Sequence, residues 1–208
     1  MSLSYVFAMV HSRHMRVLWI GLLAAVAAWA ADEFTVYELL PPDTHQFAII
    51  YDVTATQAGS PYFFNPIRKG ALATKERVIE RSTGKELKFE VVSGAQARDT
   101  GWAPQAADDM QYIQVSLPGP VPKNGETRIR IFKTYMDDKS YFAKGNELVF
   151  DRPMGIRRNV IVLPKGWELV ASASPGIVST QEDGRVRLSF LNDRGDALPI
   201  KITGRRLP

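Results

Sequence analysis

The chain has 208 residues, no cysteine, and a formal charge of +4 from 26 Lys/Arg against 22 Asp/Glu. The missing cysteine excludes disulfides, thiolate metal sites, thiol nucleophiles and a lipid-modified cysteine together. So small a net charge, on aromatics that alternate as core residues do, excludes nucleic acid as the expected partner.

Residues 1–30 read as a cleaved signal peptide. Val17 to Trp29 is an apolar run of h-region length, too short to span a bilayer, behind Arg13, His14 and Arg16. Ala28-Trp29-Ala30 supplies the small-x-small cleavage pattern, and Asp32 and Glu33 follow at once. Met15 opens a complete signal peptide by itself, so translation starts at Met1 or Met15. Cleavage leaves residues 31–208 as one domain with 24 basic and 22 acidic residues and no stable membrane span. Charge is uneven within it: residues 31–125 hold 9 basic against 12 acidic residues, and 126–208 hold 15 against 10.

In chain order, Phe34 to Leu40 predicts a first strand, broken by Pro41-Pro42-Asp43. Gln46 to Ala55 sets Phe47, Ile49, Tyr51 and Val53 on one face at period two. The aromatic run Tyr62-Phe63-Phe64 is expected to halt at Asn65-Pro66, since proline lacks a ladder donor. Ile67 to Gly70 is expected as a basic loop.

Three hairpins are expected next. Arg77–Arg81 and Glu86–Val92 flank a turn at Gly84, with Leu87, Phe89 and Val91 inward. Tyr112–Leu117 and Arg128–Phe132 flank a connection ending in Asn124-Gly125, a dipeptide suited to positive φ. Ile177–Thr180 and Arg185–Leu191 flank Asp183-Gly184, with Val186, Leu188 and Phe190 inward. Ser93 to Met110 reads as a polar loop with one helical turn.

Glu147–Phe150 predicts a short strand, Asp151–Arg158 a connection, and Asn159–Leu163 a central strand apolar on both faces. Pro164-Lys165-Gly166 turns the chain into Trp167–Ala173, and Leu198–Thr203 closes it with Ile200 and Ile202 inward. About ten strands without a sustained helical period predict an all-β fold, an antiparallel β-sandwich.

The run YIQVSLPGPVPKNGETRIRIFKTY, Tyr112 to Tyr135, followed by VIVLPKGWELVAS, Val160 to Ser172, resembles the amino-terminal β-domain of secreted zinc aminopeptidases. Similar patterns occur in β-sandwich domains attached to bacterial transglutaminase-like proteins. That family's zinc site needs two histidines one helical turn apart around a glutamate. Residues 31–208 carry a single histidine, His45, so aminopeptidase activity is not carried over. The resemblance implies a free-standing β-module of a kind that elsewhere accompanies a catalytic domain.

No catalytic residue, metal ligand set or cofactor site is expected. His45 has no Cys or second His to share a metal with, and no Gly-x-Ser-x-Gly elbow or Ser-x-x-Lys motif stands beside it. Asp108-Asp109 and Asp137-Asp138 are adjacent pairs, and adjacent strand residues point to opposite faces. Asn192, Asp193 and Asp196 lack the spacing of a calcium loop, and Arg194-Gly195-Asp196 reads as turn chemistry.

The candidate binding set is basic and aromatic: Arg68 and Lys69 after Tyr62-Phe63-Phe64, and Arg152, Arg157 and Arg158 after Tyr141 and Phe142. Arginine forks bind carboxylates or phosphates, and aromatics add apolar area. Against that stands a structural role, with the aromatics in the core and Asp151 or another acid pairing the arginines. The expected function is a secreted or periplasmic, non-enzymatic binding module for an envelope protein or glycan. Two other readings remain open, a carbohydrate-active or other hydrolase whose acids converge only in the fold, and a self-associating structural protein.

Overall fold

The computed structural model of the chain describes residues 33–208; the expected leader, residues 1–30, lies outside them. In chain order the strands begin with β1 (Phe34–Leu39), β2 (Gln46–Ala55), β3 (Tyr62–Ile67), β4 (Leu72–Glu80) and β5 (Phe89–Ser93). A short helix α1 (Gly94–Asp99) precedes β6 (Gln111–Ser116), β7 (Thr127–Met136), β8 (Tyr141–Lys144) and β9 (Glu147–Met154). The remainder are β10 (Arg158–Val162), β11 (Trp167–Ser172), β12 (Ile177–Thr180), β13 (Val186–Leu191) and β14 (Leu198–Arg206).

These form a seven-stranded sheet in the order β12-β13-β10-β1-β2-β7-β4, a four-stranded sheet β11-β14-β9-β8 and a three-stranded sheet β3-β6-β5. Every pairing is antiparallel except β1 with β10. One core cluster draws Phe47 and Ile131 from the large sheet, Ile113 and Val115 from the three-stranded one, and Phe150 and Ile202 from the four-stranded one. The fold is therefore the expected all-β sandwich, with two small sheets sharing the second layer. Among the described residues no helix is long and apolar enough to cross a membrane.

The period-two signal places β2 as expected, with Phe47, Ile49, Tyr51 and Val53 all buried. β10 is central and buried, flanked by β1 and β13. The hairpin of β12 and β13 closes at Gly184, whose φ of +84° a residue with a Cβ adopts only under strain. The helical turn in the polar loop is α1, capped by Ser93, which accepts from Gln96 N while Gln96 bonds back to Ser93 N.

The other two hairpins are corrected. β6 pairs with β3 and β5, whereas β7 pairs with β2 and β4, so the connection through Asn124-Gly125 changes layers instead of reversing within one. Gly125 is absent from the positive-φ glycines, and its N–H donates to Pro122 O at 3.2 Å. β4 begins to pair with the following segment at Ile79 and Glu86, and then that segment leaves to join β6 as β5. Leu87 and Phe89 pack against the core as expected, whereas Val91 is 47% exposed and Val92 takes the buried place at the strand's end.

Two strands run past their expected ends, each through a proline. β3 runs through Pro66 because it is an edge strand and needs a ladder donor on one side only. β9 runs on to Met154 through Pro153 because β8 pairs with it only as far as Phe150. Among the described residues the strand count rises to fourteen, partly through β8, a four-residue strand too short to show periodicity.

The inner face of the large sheet is pinned to the four-stranded sheet by aromatic contacts. Phe47 packs 5.5 Å from Phe150, 5.9 Å from Tyr37, 6.1 Å from Tyr135 and 6.4 Å from Tyr141 between ring centres. Truncation at this hub removes contacts on four sides. Phe47→Ala is expected to lose about 3–5 kcal/mol in chemical denaturation, and Phe47→Leu about 1–2 kcal/mol. A loss below 1 kcal/mol for the alanine variant would place the organising contacts elsewhere.

Candidate functional site

The two small sheets part over the middle of the large sheet, and a cleft of about 340 Å³ opens at the seam. Its floor follows from strand alternation. β1 turns Thr35 and Tyr37 inward, β2 turns Ile49 and Tyr51, and β7 turns Lys133 and Tyr135. Register aligns Tyr37, Ile49 and Lys133 in one row across three strands, with Thr35 and Tyr51 paired beside it. The walls come from the other layer: Asn65 and Pro66 of β3, Arg68 just after it, Arg152 of β9, and Ile156 beyond β9.

Arg152 is 7% exposed and doubly supported. Its Nη1 donates to Asp137 Oδ2 at 3.1 Å, and its guanidinium lies 5.5 Å from the Phe47 ring centre and 5.6 Å from that of Tyr135. Asp137 also accepts from the Ser140 hydroxyl at 2.7 Å and from Ser140 N at 3.2 Å. This half of the cleft is an ion pair braced by Ser140.

Lys133, 6% exposed, has no ion pair among the described residues. Its ammonium donates to the neutral Oδ1 of Asn65 and sits 4.8 Å from the Tyr135 ring centre. Burial, reinforced by the positive charge of Arg152, pushes its pKa down to about 7, while Glu76 opposes the shift. Glu76 comes near because β4 bulges here: Lys75, at φ +55°, and Glu76 occupy the gap opposite Lys133.

Three tyrosines complete the lining as neutral hydroxyls. Burial raises the pKa of Tyr37 against the pull of Arg152. Burial also raises Tyr51, whose hydroxyl donates to Glu33 Oε1 at 2.8 Å, and Tyr135. Thr35 Oγ1 and Asn159 Oδ1, on paired residues of β1 and β10, are buried without a hydrogen-bond partner among the described residues. Two cations, neutral hydroxyls and an orphan Thr35 oxygen make a cleft suited to an anion.

The residues singled out in sequence divide between this cleft and other places. Arg68 and Arg152 meet in its lining. Lys69 is exposed and pairs with Asp109 at 2.7 Å. Tyr141 is wholly buried in the core with its hydroxyl donating to Leu40 O, and Phe142 beside it on β8 is half-buried. Arg157 is exposed next to Ile156, and Arg158 starts β10 with its guanidinium 6.0 Å from the Phe34 ring centre. Asp151 pairs with Lys201 at 2.9 Å, so the acid that holds Arg152 is Asp137.

The remaining motifs serve local structure. His45 caps a turn at φ 54° with Nδ1 2.9 Å from Tyr141 O. Arg194 pairs with Asp196 at 2.7 Å, folding the Arg-Gly-Asp sequence onto itself, and Asn192 donates to Asp196 O at 2.9 Å. Asp108 is held by Arg98. Among the described residues, no group of three His, Cys, Asp or Glu could hold a metal ion.

Lys133, Asn65, Thr35 and Tyr37 were not singled out in the sequence. The signal for Lys133 is present: Ile129, Ile131, Lys133 and Tyr135 share one parity in a strand, which puts a lysine on an apolar face.

No family model and no curated protein match the chain. Among solved structures it is similar to an M1 zinc metallopeptidase from Deinococcus radiodurans, at 12% identity and a TM-score of 0.50 over 83% of this chain and 41% of that one. It is also similar to an aminopeptidase N family protein from Idiomarina loihiensis, at 11% identity and a TM-score of 0.45 over 82% of this chain and 29% of that one. The chain thus spans less than half the length of either. The likeness to the metallopeptidase is one of fold, and it agrees with the resemblance read from Tyr112–Tyr135 and Val160–Ser172.

Lys133 makes stability depend on pH in a defined window. In the unfolded chain it keeps its proton to about 10.5, whereas in the fold it releases it at about 7. Between those values the unfolded chain binds more protons, so stability rises with pH, and below the window the full penalty stands. Lys133→Met is expected to stabilise the protein by on the order of 1–2 kcal/mol at pH 6, net of the partner lost by Asn65. It should also flatten the rise between pH 7 and 10, and equal pH profiles for the two proteins in thermal unfolding would contradict the assignment.

Proposed function

We propose that the chain is a secreted or periplasmic β-sandwich module, non-enzymatic, that binds another envelope component, a protein or a glycan. The observation that carries this reading is a set of cations short of partners around one opening. Arg68 and Arg157 are exposed without an ion pair among the described residues, the first lining the cleft and the second next to its wall residue Ile156. Exposed arginine forks with apolar surface beside them suit recognition of acidic groups. The likeness of fold to part of a metallopeptidase chain supports a non-catalytic β-domain.

Affinity capture from envelope extract with the full chain, read at low and moderate salt, tests the proposal. A stoichiometric, salt-sensitive partner is expected, with its affinity reduced at least tenfold in the Arg68→Ala, Arg157→Ala double variant. Unchanged affinity in a folded double variant removes the proposed surface.

Self-association is a second reading with its own observation. β12 forms one edge of the seven-stranded sheet and exposes Ile177 and Val178 by 74% and 53%. An apolar edge strand is a template for pairing with a second copy. Sedimentation is expected to give an oligomer that Val178→Lys converts to monomer. A native protein monomeric at high concentration excludes this reading.

A further inference from the structure

We infer that the seam cleft is a binding site for a single carboxylate group, held between the Lys133 ammonium and the Arg152 guanidinium over the floor of Thr35 and Tyr37. The inference rests on the binding-module reading only for what carries the carboxylate; the site itself stands on geometry.

Charge sets the valence. Lys133 and Arg152 face Asp137 alone in direct contact, which leaves one positive charge in excess when Lys133 is protonated. Other charged groups act from further out. Glu33 lies behind the Tyr51 hydroxyl, Glu76 acts on Lys133 through space from the β4 bulge, and Arg68 is exposed. The buried pair thus carries one excess charge, which matches a monoanion, and Arg68, exposed in the same lining, adds a second charge that solvent screens.

Donor supply sets the shape. Lys133 spends one N–H on Asn65, and Arg152 donates to Asp137 and bonds the Tyr37 hydroxyl, so both cations still retain some of their three and five N–H donors. Both cations lie near the Tyr135 ring, at 4.8 and 5.6 Å from its centre, and two cationic donors lining one cleft suit the two oxygens of a planar carboxylate. The Thr35 hydroxyl, 2% exposed and without a partner among the described residues, lies in the same lining. A buried hydroxyl left unpaired is uncommon in a folded protein, and a bound oxygen would satisfy it.

The walls say what the carboxylate is attached to. Ile49, Pro66 and Ile156 with the tyrosine rings give an apolar lining, and about 340 Å³ admits a body the size of one amino acid or sugar unit. The low pKa of Lys133, about 7, has a further consequence. Arg152 attracts the anion at any pH and Lys133 only when protonated, so a bound carboxylate favours the ammonium and affinity declines as pH rises above about 7.

The test is an NMR titration of the full chain with N-acetyl-L-alanine, D-glucuronate and acetate, with N-acetyl-L-alanine amide and inorganic phosphate as comparisons. At least one carboxylate is expected to shift signals of Asn65, Lys133 and Arg152 together and to raise the Lys133 titration midpoint, while the amide does neither. Its affinity is expected to fall with pH above the free-state midpoint, by at most about tenfold per unit between the free and bound midpoints. Thr35→Val should weaken binding several-fold, and Lys133→Arg should retain binding and lose the pH dependence near neutrality. The inference is overturned if the amide shifts the same residues equally, if the Lys133 midpoint does not move, or if phosphate outcompetes every carboxylate. The midpoint needs no variant, so loss of folding on substitution leaves the test intact. Capture of a macromolecular partner is a separate measurement, so failure there and failure here are distinguishable.

Discussion

The second layer of the sandwich does not continue across the seven-stranded sheet, and that break is the constraint on which the rest depends. The four-stranded sheet covers the part where Tyr37, Phe47 and Tyr135 meet Phe150 and Tyr141, and the three-stranded sheet brings Ile113 and Val115 to the same core. Between them no backbone ladder spans the gap. Long side chains fill it, because the stems of arginine and lysine pack against apolar surface while their heads seek polar company. Arg152 arrives from the small-sheet layer and Lys133 from the large sheet, and the cleft is where their heads approach.

How charge is handled elsewhere makes this place distinctive. On the outer face of the large sheet, Asp52 accepts from Arg130 Nε at 2.6 Å and Nη2 at 2.8 Å and also from Arg81. Desolvation raises the pKa of Asp52, and the two arginines outweigh it and hold the carboxyl below its ordinary value. Stability from that group is present above the ordinary carboxylate range and lost as pH falls through the lowered value. Arg77 stacks on Phe132 nearby, 4.1 Å from its ring centre. Those cations are matched. Lys133 is given a neutral amide instead, and a buried, unmatched cation is a burden on folding that the packing alone gives no reason to keep.

Sequence periodicity reads each strand and is blind to the layer it joins. The alternation in Gln46–Ala55 and Val186–Leu191 names their buried faces correctly, and the run Asn159–Leu163 reads as central because it is apolar on both sides. The connection through Asn124-Gly125 carries a turn dipeptide, yet β6 and β7 belong to different sheets, since a turn signal says that the chain bends and not which strand it next meets. Pro66 misled for a related reason. A proline ends a strand only where both edges are paired, and pairing is a property of neighbours far away in sequence. In the site, Arg68 and Arg152 stood out as arginines near aromatics, and the partner of Arg152, Asp137, was hidden by a separation of fifteen positions. Lys133 was legible by parity alone, since it breaks the apolar series Ile129, Ile131, Tyr135 that its own strand turns inward.

A fold shared at 12% identity carries architecture without its sites, so whatever this chain does must reside in side chains its relatives in shape need not have. The cleft meets that requirement in a particular way. Its lining comes from β1, β2 and β7 of one layer and from β3 and β9 of the other, which belong to two different sheets. No single hairpin contains the site, and it exists only once both small sheets are seated on the large one. An anion between Lys133 and Arg152 would therefore contact both layers at once and favour the seated arrangement by its binding free energy. It would also supply the counter-charge that Asn65 cannot. The feature that weakens the fold without an occupant is the same one that would strengthen it with one, which places stability and recognition in a single lysine.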